Sequence, residues 1–120
     1  MTRVRGIRGA VTVDADTEEA VIAAATGLLR EILRRNEVDA EDVVSVVFTS
    51  TEDLRSAFPA AAARAIGLDR VPVLSAREPA VEGALPRAVR ILLHAYTERS
   101  QREVEHVYLG DAAALREDLA

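Results

Sequence analysis

The sequence predicts an α+β fold, a mixed β-sheet with its helices on one face. Five short runs rich in Val, Ile and Leu alternate with two stretches of helical spacing, in the order β-α-β-α-β-β-β. The run "RAVRILLHAYT" then divides by alternation into two sets. Val89, Ile91, Leu93 and Ala95 are wholly apolar, whereas Arg90, Leu92, His94 and Tyr96 are mixed, so only one face of that strand is suited to meet helices. Finally, 49% of residues are hydrophobic, but there are only two Phe, two Tyr and no Trp. A globular chain of that composition builds its core from aliphatic side chains.

Each element has its own signal. "VRGIRGAVTV" reads as a first strand from about Arg3 to Asp14. "DADTEEA" places Asp16 as N-cap with Glu19 three residues on, a capping-box pattern. Val21, Ala25, Leu28 and Ile32, with Leu29 and Leu33 beside them, form an apolar helical stripe that ends near Asn36. "AEDVVSVVFTST" holds a buried strand over about Val43 to Ser50. "TEDL" begins a second helical region that "FPAAAARAIG" continues and Gly67 closes. "RVPVLS" is a third strand, and Pro72 within it implies an edge position or an irregular end. After the turn-rich "AREPAVEGALP" come the fourth strand, "RAVRILLHAYT", and the fifth, "EHVYLG". "DAAALREDL" reads as a closing helical turn.

With 120 residues the chain is expected to form one domain, residues 1–120. Its net charge of −5 argues against a nucleic-acid partner bound through phosphates. No cysteine is present, which excludes disulfides, a thiol nucleophile and thiolate metal sites. No apolar run approaches the roughly 20 residues that span a bilayer, and no signal-peptide pattern opens the chain. A soluble, cytoplasmic protein with no membrane partner is expected.

The inventory for chemistry is short. His94 and His106 lie on different strands without ligand spacing, so no metal site is expected and both read as structural or surface residues. There is no nucleophile elbow and no phosphate-binding glycine loop, since "RGIRG" sits mid-strand with no helix following. Arginines and one acid, Glu78, remain. Arg8 shares its strand face with Val4, Gly6, Ala10 and Thr12, small neighbours that leave room around a guanidinium. Arg90 lies between Val89 and Ile91, where an unpaired charge is costly. Two readings stay open: a structural ion pair of Arg90 with Glu78, or a dry pocket for a small polyanion held by arginine forks. The face carrying Arg8, Arg90 and Tyr108 has no helix to cover it, which predicts that further subunits do.

The segments "RGIRGAVTVDADTEEAV", "FPAAAAR", "RVPVLSAREPAVEGALPRAVRILL" and "HVYLGDAAALREDL" resemble, in order and over nearly the whole chain, the monofunctional non-helical (AroH-type) chorismate mutases. The resemblance implies a homotrimer in which three mixed sheets pack as a pseudo-α/β barrel with helices outside. It implies active sites in clefts between adjacent subunits, and the [3,3] Claisen rearrangement of chorismate to prephenate in phenylalanine and tyrosine biosynthesis. That reaction requires no cofactor, no covalent intermediate and no proton transfer.

By the same resemblance Arg8 binds a substrate carboxylate, and Arg90 reaches the ether oxygen and a carboxylate. Glu78 accepts a hydrogen bond from the ring hydroxyl, and Tyr108 completes that half of the cleft. The neighbouring subunit contributes Phe58, Ala60, Arg64, Val73, Leu74 and Ser75, while Leu115 and Arg116 belong to a tail that closes over the site. Ala61, Leu74 and Ser75 depart from Lys, Thr and Cys found in some members. Two other readings share the carboxylate-binding arginine: an enamine/imine deaminase of the Rid type, and a non-catalytic trimer that binds metabolites. "RGIRGA" with the Glu78 and Arg90 pair favours the mutase.

Overall fold

The 18-residue helix α1 (Glu18–Arg35) buries Val21, Ala25, Leu28, Leu29 and Ile32, the apolar stripe of its sequence, against one face of a five-stranded sheet. The computed structural model describes residues 1–119, with side chains through Leu115. Its strands are β1 (Arg3–Thr12), β2 (Val43–Ser50), β3 (Val73–Arg77), β4 (Ala88–Thr97) and β5 (Val107–Leu109). A short helix α2 (Ala61–Ala65) precedes β3, and a 3-10 segment, Gly110–Leu119, ends the described chain. The sheet order is β3-β2-β4-β1-β5. The β1–β4 and β2–β4 pairs are antiparallel, and β1–β5 and β2–β3 are parallel. The mixed sheet and its one-sided helical cover are those the sequence predicts, and β3 lies at the edge where Pro72 suggested.

Alternation decides which side chains meet α1. Ile7 and Val11 of β1, Val46 and Phe48 of β2, and Val89, Ile91, Leu93 and Ala95 of β4 all enter one buried cluster with the helix. Each fully buried aliphatic side chain of this kind contributes about 1.5–3 kcal/mol. Gly9 occupies the same face at the point of closest approach. A Cβ there would stand 2.7 Å from Ile32 Cδ1, 3.0 Å from Leu28 Cδ1 and 3.1 Å from the Val107 carbonyl oxygen.

Two local expectations are corrected. The N-cap of α1 is Thr17, whose Oγ1 accepts from the Ala20 amide at 3.2 Å, not Asp16. Asp16 is drawn away because its carboxylate accepts the Arg55 and Ser56 amides, both at 3.0 Å, and so ties down a distant loop. The second helix is also shorter than its sequence suggests. "TEDL" is not helical: the Thr51 hydroxyl donates to Asp53, and Asp53 in turn accepts the Arg87 amide at 3.0 Å. Local polar side chains thereby offer this backbone an alternative to helix. Only Ala61–Ala65 remains helical, and Gly67 follows at φ +85°.

The C-terminal part is anchored from two sides. Asn36, buried at the end of α1, donates to the Ile32 and Glu105 carbonyls at 2.9 Å each and accepts the Glu105 amide at 2.7 Å. Gly110, at φ +60°, turns the chain out of β5, and the Asp111 amide then donates to Thr12 Oγ1 at 3.0 Å. These bonds fix β5 beside β1.

Replacing Gly9 with Ala is expected to cost about 1–3 kcal/mol of stability, because a methyl group is forced against two core side chains and a backbone oxygen. Urea unfolding measures it, and a midpoint equal to wild type would show that α1 does not seat on β1 at this position.

Candidate active site

The sheet face opposite α1 carries the charged groups. The register sets Ala10 opposite Arg90 on β4 and level with Tyr108 on β5, while Thr49 of β2 faces Arg90 from its other side. A row Thr49–Arg90–Ala10–Tyr108 therefore runs across four strands. Arg8 pairs with Leu92, which makes it the diagonal neighbour of Arg90 on the same face. The small Ala10 is the gap around which two guanidiniums and a phenol gather.

Each charged group is held. Arg90 Nε donates to Glu78 Oε1 at 3.2 Å, and Nε is the part of that guanidinium engaged among the described residues. Thr49 Oγ1 donates to Glu78 Oε2 at 2.6 Å, and the Glu78 amide donates to the Ser50 carbonyl at 2.9 Å. Both oxygens of Glu78 are thus occupied, and its side chain is 17% exposed against 37% for Arg90. Arg8 Nη2 donates to Tyr108 Oη at 2.9 Å, and the Arg8 amide donates to His106 Nδ1 at the same distance. Among the described residues, the two guanidiniums thus meet one carboxylate, Glu78, in the bonds of this group. An arrangement with surplus positive charge, fixed in position and left open, is suited to hold a small anion.

A second group of predicted residues lies elsewhere. Phe58, 78% exposed, and Ser75 line a groove of about 840 Å³ at the β3 edge, together with Ile22, Arg55, Ala61 and Arg77. None of Arg8, Glu78, Arg90 or Tyr108 lines it. Ala60 packs on the core beside this groove, and Arg64 is exposed on α2. Val73 and Leu74 are both exposed, but alternation turns them to opposite sides of β3: Leu74 pairs with Val47, Ser75 with the buried Phe48. Leu115 is half-buried in the closing 3-10 segment, and the Arg116 side chain lies outside the described residues. One chain therefore brings Arg8, Arg90, Glu78 and Tyr108 together and keeps Phe58 and Ser75 apart from them.

Two residues of the charged face escaped sequence reasoning. Thr49 is a polar residue in "VVFTS" on the same parity as Val47, and that break in an apolar strand was the signal for it. His106 shares the parity of Tyr108 in "EHVYL", but its partner is an amide 98 residues away, which no spacing rule reveals. Among the described residues no three His, Asp or Glu side chains gather in a group able to hold a metal ion. No helix among them is long and apolar enough to cross a membrane.

Comparison with known proteins shows the family. The family model described as chorismate mutase type I matches residues 4–119. The chain belongs to this family. A chorismate mutase AroH of Thermus thermophilus is 54% identical over 97% of this chain and 96% of its own length. The AroH of Bacillus subtilis is 40% identical, covering 98% of this chain and 93% of its own length. Among solved structures, a chorismate mutase from Clostridium thermocellum superposes with a TM-score of 0.90 at 35% identity, over 92% of this chain and 98% of that one. Membership extends to the whole sheet, from β1 to the closing segment.

Thr49→Val removes one of the two side-chain donors to Glu78. It is expected to lower stability by about 1 kcal/mol, the value of a partly exposed charge-assisted bond, while Thr49→Ser keeps the donor and the stability. Equal urea midpoints for Thr49→Val and wild type would mean that Glu78 is held without Thr49.

Proposed function

We propose that this protein is a chorismate mutase, converting chorismate to prephenate by a [3,3] rearrangement in phenylalanine and tyrosine biosynthesis in the cytoplasm. The observation that carries the reading is Arg90. It is a mid-strand arginine on the helix-free face, 37% exposed, bonded among the described residues only through Nε to Glu78. Membership of the type I chorismate mutase family gives the substrate.

The chemistry asks for little beyond placed charge. The ether C–O bond of chorismate breaks ahead of formation of the new C–C bond, and negative charge grows on the ether oxygen. A fixed cation at that oxygen binds the transition state more tightly than the substrate, which lowers the barrier. Arg90 takes this role, and Glu78 orients it while accepting the ring hydroxyl. Arg8, aimed by Tyr108, holds a substrate carboxylate through its paired N–H groups. Because bonds are redistributed within one molecule, no proton acceptor, nucleophile or redox partner takes part.

The remaining half of the cleft comes from a neighbouring copy. Val4, Leu92 and Tyr96 stand 47%, 38% and 50% exposed on the helix-free face, and burying them between sheets removes apolar surface from water. A homotrimer of sheets arranged as a pseudo-α/β barrel does so. It also brings Phe58, Ala60, Arg64, Val73, Leu74 and Ser75 of one subunit to Arg8, Glu78, Arg90 and Tyr108 of the next. These residues hold the compact, pseudo-diaxial form of the substrate, an orientation effect, and Leu115 and Arg116 close over it.

Loss of chorismate absorbance on incubation with the purified protein, with prephenate confirmed by acid conversion to phenylpyruvate, tests the activity. Sedimentation tests the trimer, and a monomer at working concentration would overturn the shared site. Arg90→Ala is expected to fold, to assemble and to lose at least about 10²–10³ in kcat. Arg8→Ala is expected to raise KM more than it lowers kcat, and an unchanged KM would remove its carboxylate role.

A further inference from the structure

The β1–β5 ladder is short. It runs from Gly9 beside Val107 to Val11 beside Leu109, and β5 begins only at Val107. The amide of Arg8, one residue before the ladder, has its partner in a side chain: it donates to His106 Nδ1 at 2.9 Å. An imidazole nitrogen stands there as the acceptor for a main-chain donor. Two residues on, Tyr108 Oη takes the Arg8 guanidinium at 2.9 Å. Residues 106 and 108 of one short segment thus hold the two ends of the same arginine.

We infer that His106 is a positioning residue for substrate binding, which through its neutral Nδ1 holds the Arg8 amide and so aims the Arg8 guanidinium. This rests on the chorismate-binding role proposed for Arg8. Only a neutral imidazole with its proton on Nε2 offers Nδ1 as an acceptor. The surroundings favour that form. His106 lines a space of about 200 Å³ together with Val4, Arg5, Gly6, Gln101 and Val104. The charged and titratable groups about it are Arg5 and Arg8 on β1, Tyr108 on its own segment, its chain neighbour Glu105, and His94 of β4, whose ring stands at Gly6. Among the described residues no carboxylate lines the space, and Glu105 is exposed, its amide bonded to Asn36 instead. Burial, and then the Arg8 charge, hold the His106 pKa below its ordinary value of 6.5.

The pH dependence follows from that direction. A depressed histidine pKa means that the neutral, bonded form predominates at neutral pH and above, and is lost as pH falls through a folded-state value below 6.5. Protonation at Nδ1 removes the acceptor from the Arg8 amide and sets an imidazolium near the Arg8 guanidinium. Arg8 then loses its aim while Arg90, fixed through Glu78, keeps its own. The effect appears in KM rather than kcat.

The test uses the full chain. In the wild type, His106 is titrated by NMR and the Arg8 amide resonance is followed in the same samples. The expected result is one shared transition below pH 6.5. An Arg8 amide that does not follow His106 overturns the inference. In parallel, KM and kcat for chorismate are measured from pH 5 to 8 for wild type, His106→Ala and His106→Asn. His106→Ala is expected to raise KM about three- to tenfold at neutral pH, the equivalent of one hydrogen bond, with kcat within about twofold. His106→Asn supplies a non-titrating acceptor. It is expected to recover most of that loss and to flatten the wild-type rise of KM at acid pH, separating it from protonation of the substrate. Equal KM values for His106→Ala and wild type, or an acid limb retained in His106→Asn, overturn the inference. If His106→Ala does not fold, the wild-type titration and His106→Asn decide. A wild type that does not turn over chorismate refutes the proposed function instead, and the Arg8 amide titration then judges His106 alone.

Discussion

The contact between α1 and Gly9 organises this molecule. At that point the helix approaches the sheet so closely that Leu28 and Ile32 occupy the space a side chain would need. Because side chains alternate along a strand, seating Gly9 under the helix turns Arg8 and Ala10 to the opposite face. The β1–β4 register then sets Arg90 opposite Ala10, and the β1–β5 register sets Tyr108 beside it. A slip of one residue would bury Arg8 in an aliphatic core at a cost of several kcal/mol. Core packing and placement of the charged face are thus one constraint seen from two sides.

The charged face is expensive to maintain and is maintained in detail. Arg8 and Arg90 are like charges at diagonal positions, and among the described residues Glu78 pairs with Arg90 while Arg8 is held by the neutral Tyr108 phenol. Glu78 is bonded through both oxygens and its own amide, Arg8 through its amide and its guanidinium. Groups fixed in this way do not reorganise when a new charge develops beside them, which gives a preorganised site its advantage over water. The same face exposes Val4, Leu92 and Tyr96, so that apolar surface and surplus charge lie side by side. The proposed trimer accounts for both. In that proposal neighbouring copies cover the apolar part, and the substrate's carboxylates answer the charge.

Much of this was legible because it follows from periodicity. The strand Val43–Ser50 and the helix ending at Arg35 match their sequence signals, since an aliphatic stripe has few ways to be buried. The departures arise where a polar side chain found a distant partner. Asp16 had the form of an N-cap but is used by the amides of Arg55 and Ser56, so Thr17 caps the helix instead. "TEDL" had the form of a helix start, but Thr51 and Asp53 reach each other and the start of β4. At the site, the pairing of Arg90 with Glu78 was foreseen as one of two alternatives. The structure shows the pair, and anion binding by the rest of the guanidinium belongs to the proposed function.

The amino-acid sequence by itself determined the element order, the one-sided sheet, the aliphatic core and the family. Each of these is written in local periodicity or in residue identity along the chain. Only the tertiary structure decided which side chains hold Arg8 and Glu78. The bonds from the Arg8 amide to His106 and from Thr49 to Glu78 join residues far apart in sequence, and strand register alone brings them within reach. It also decided that Phe58 and Ser75 lie apart from Arg8 and Arg90 within one chain. The physical reason is common to all three: hydrophobic alternation specifies a face, whereas a hydrogen bond between two faces or strands requires a register that is settled only when the sheet assembles.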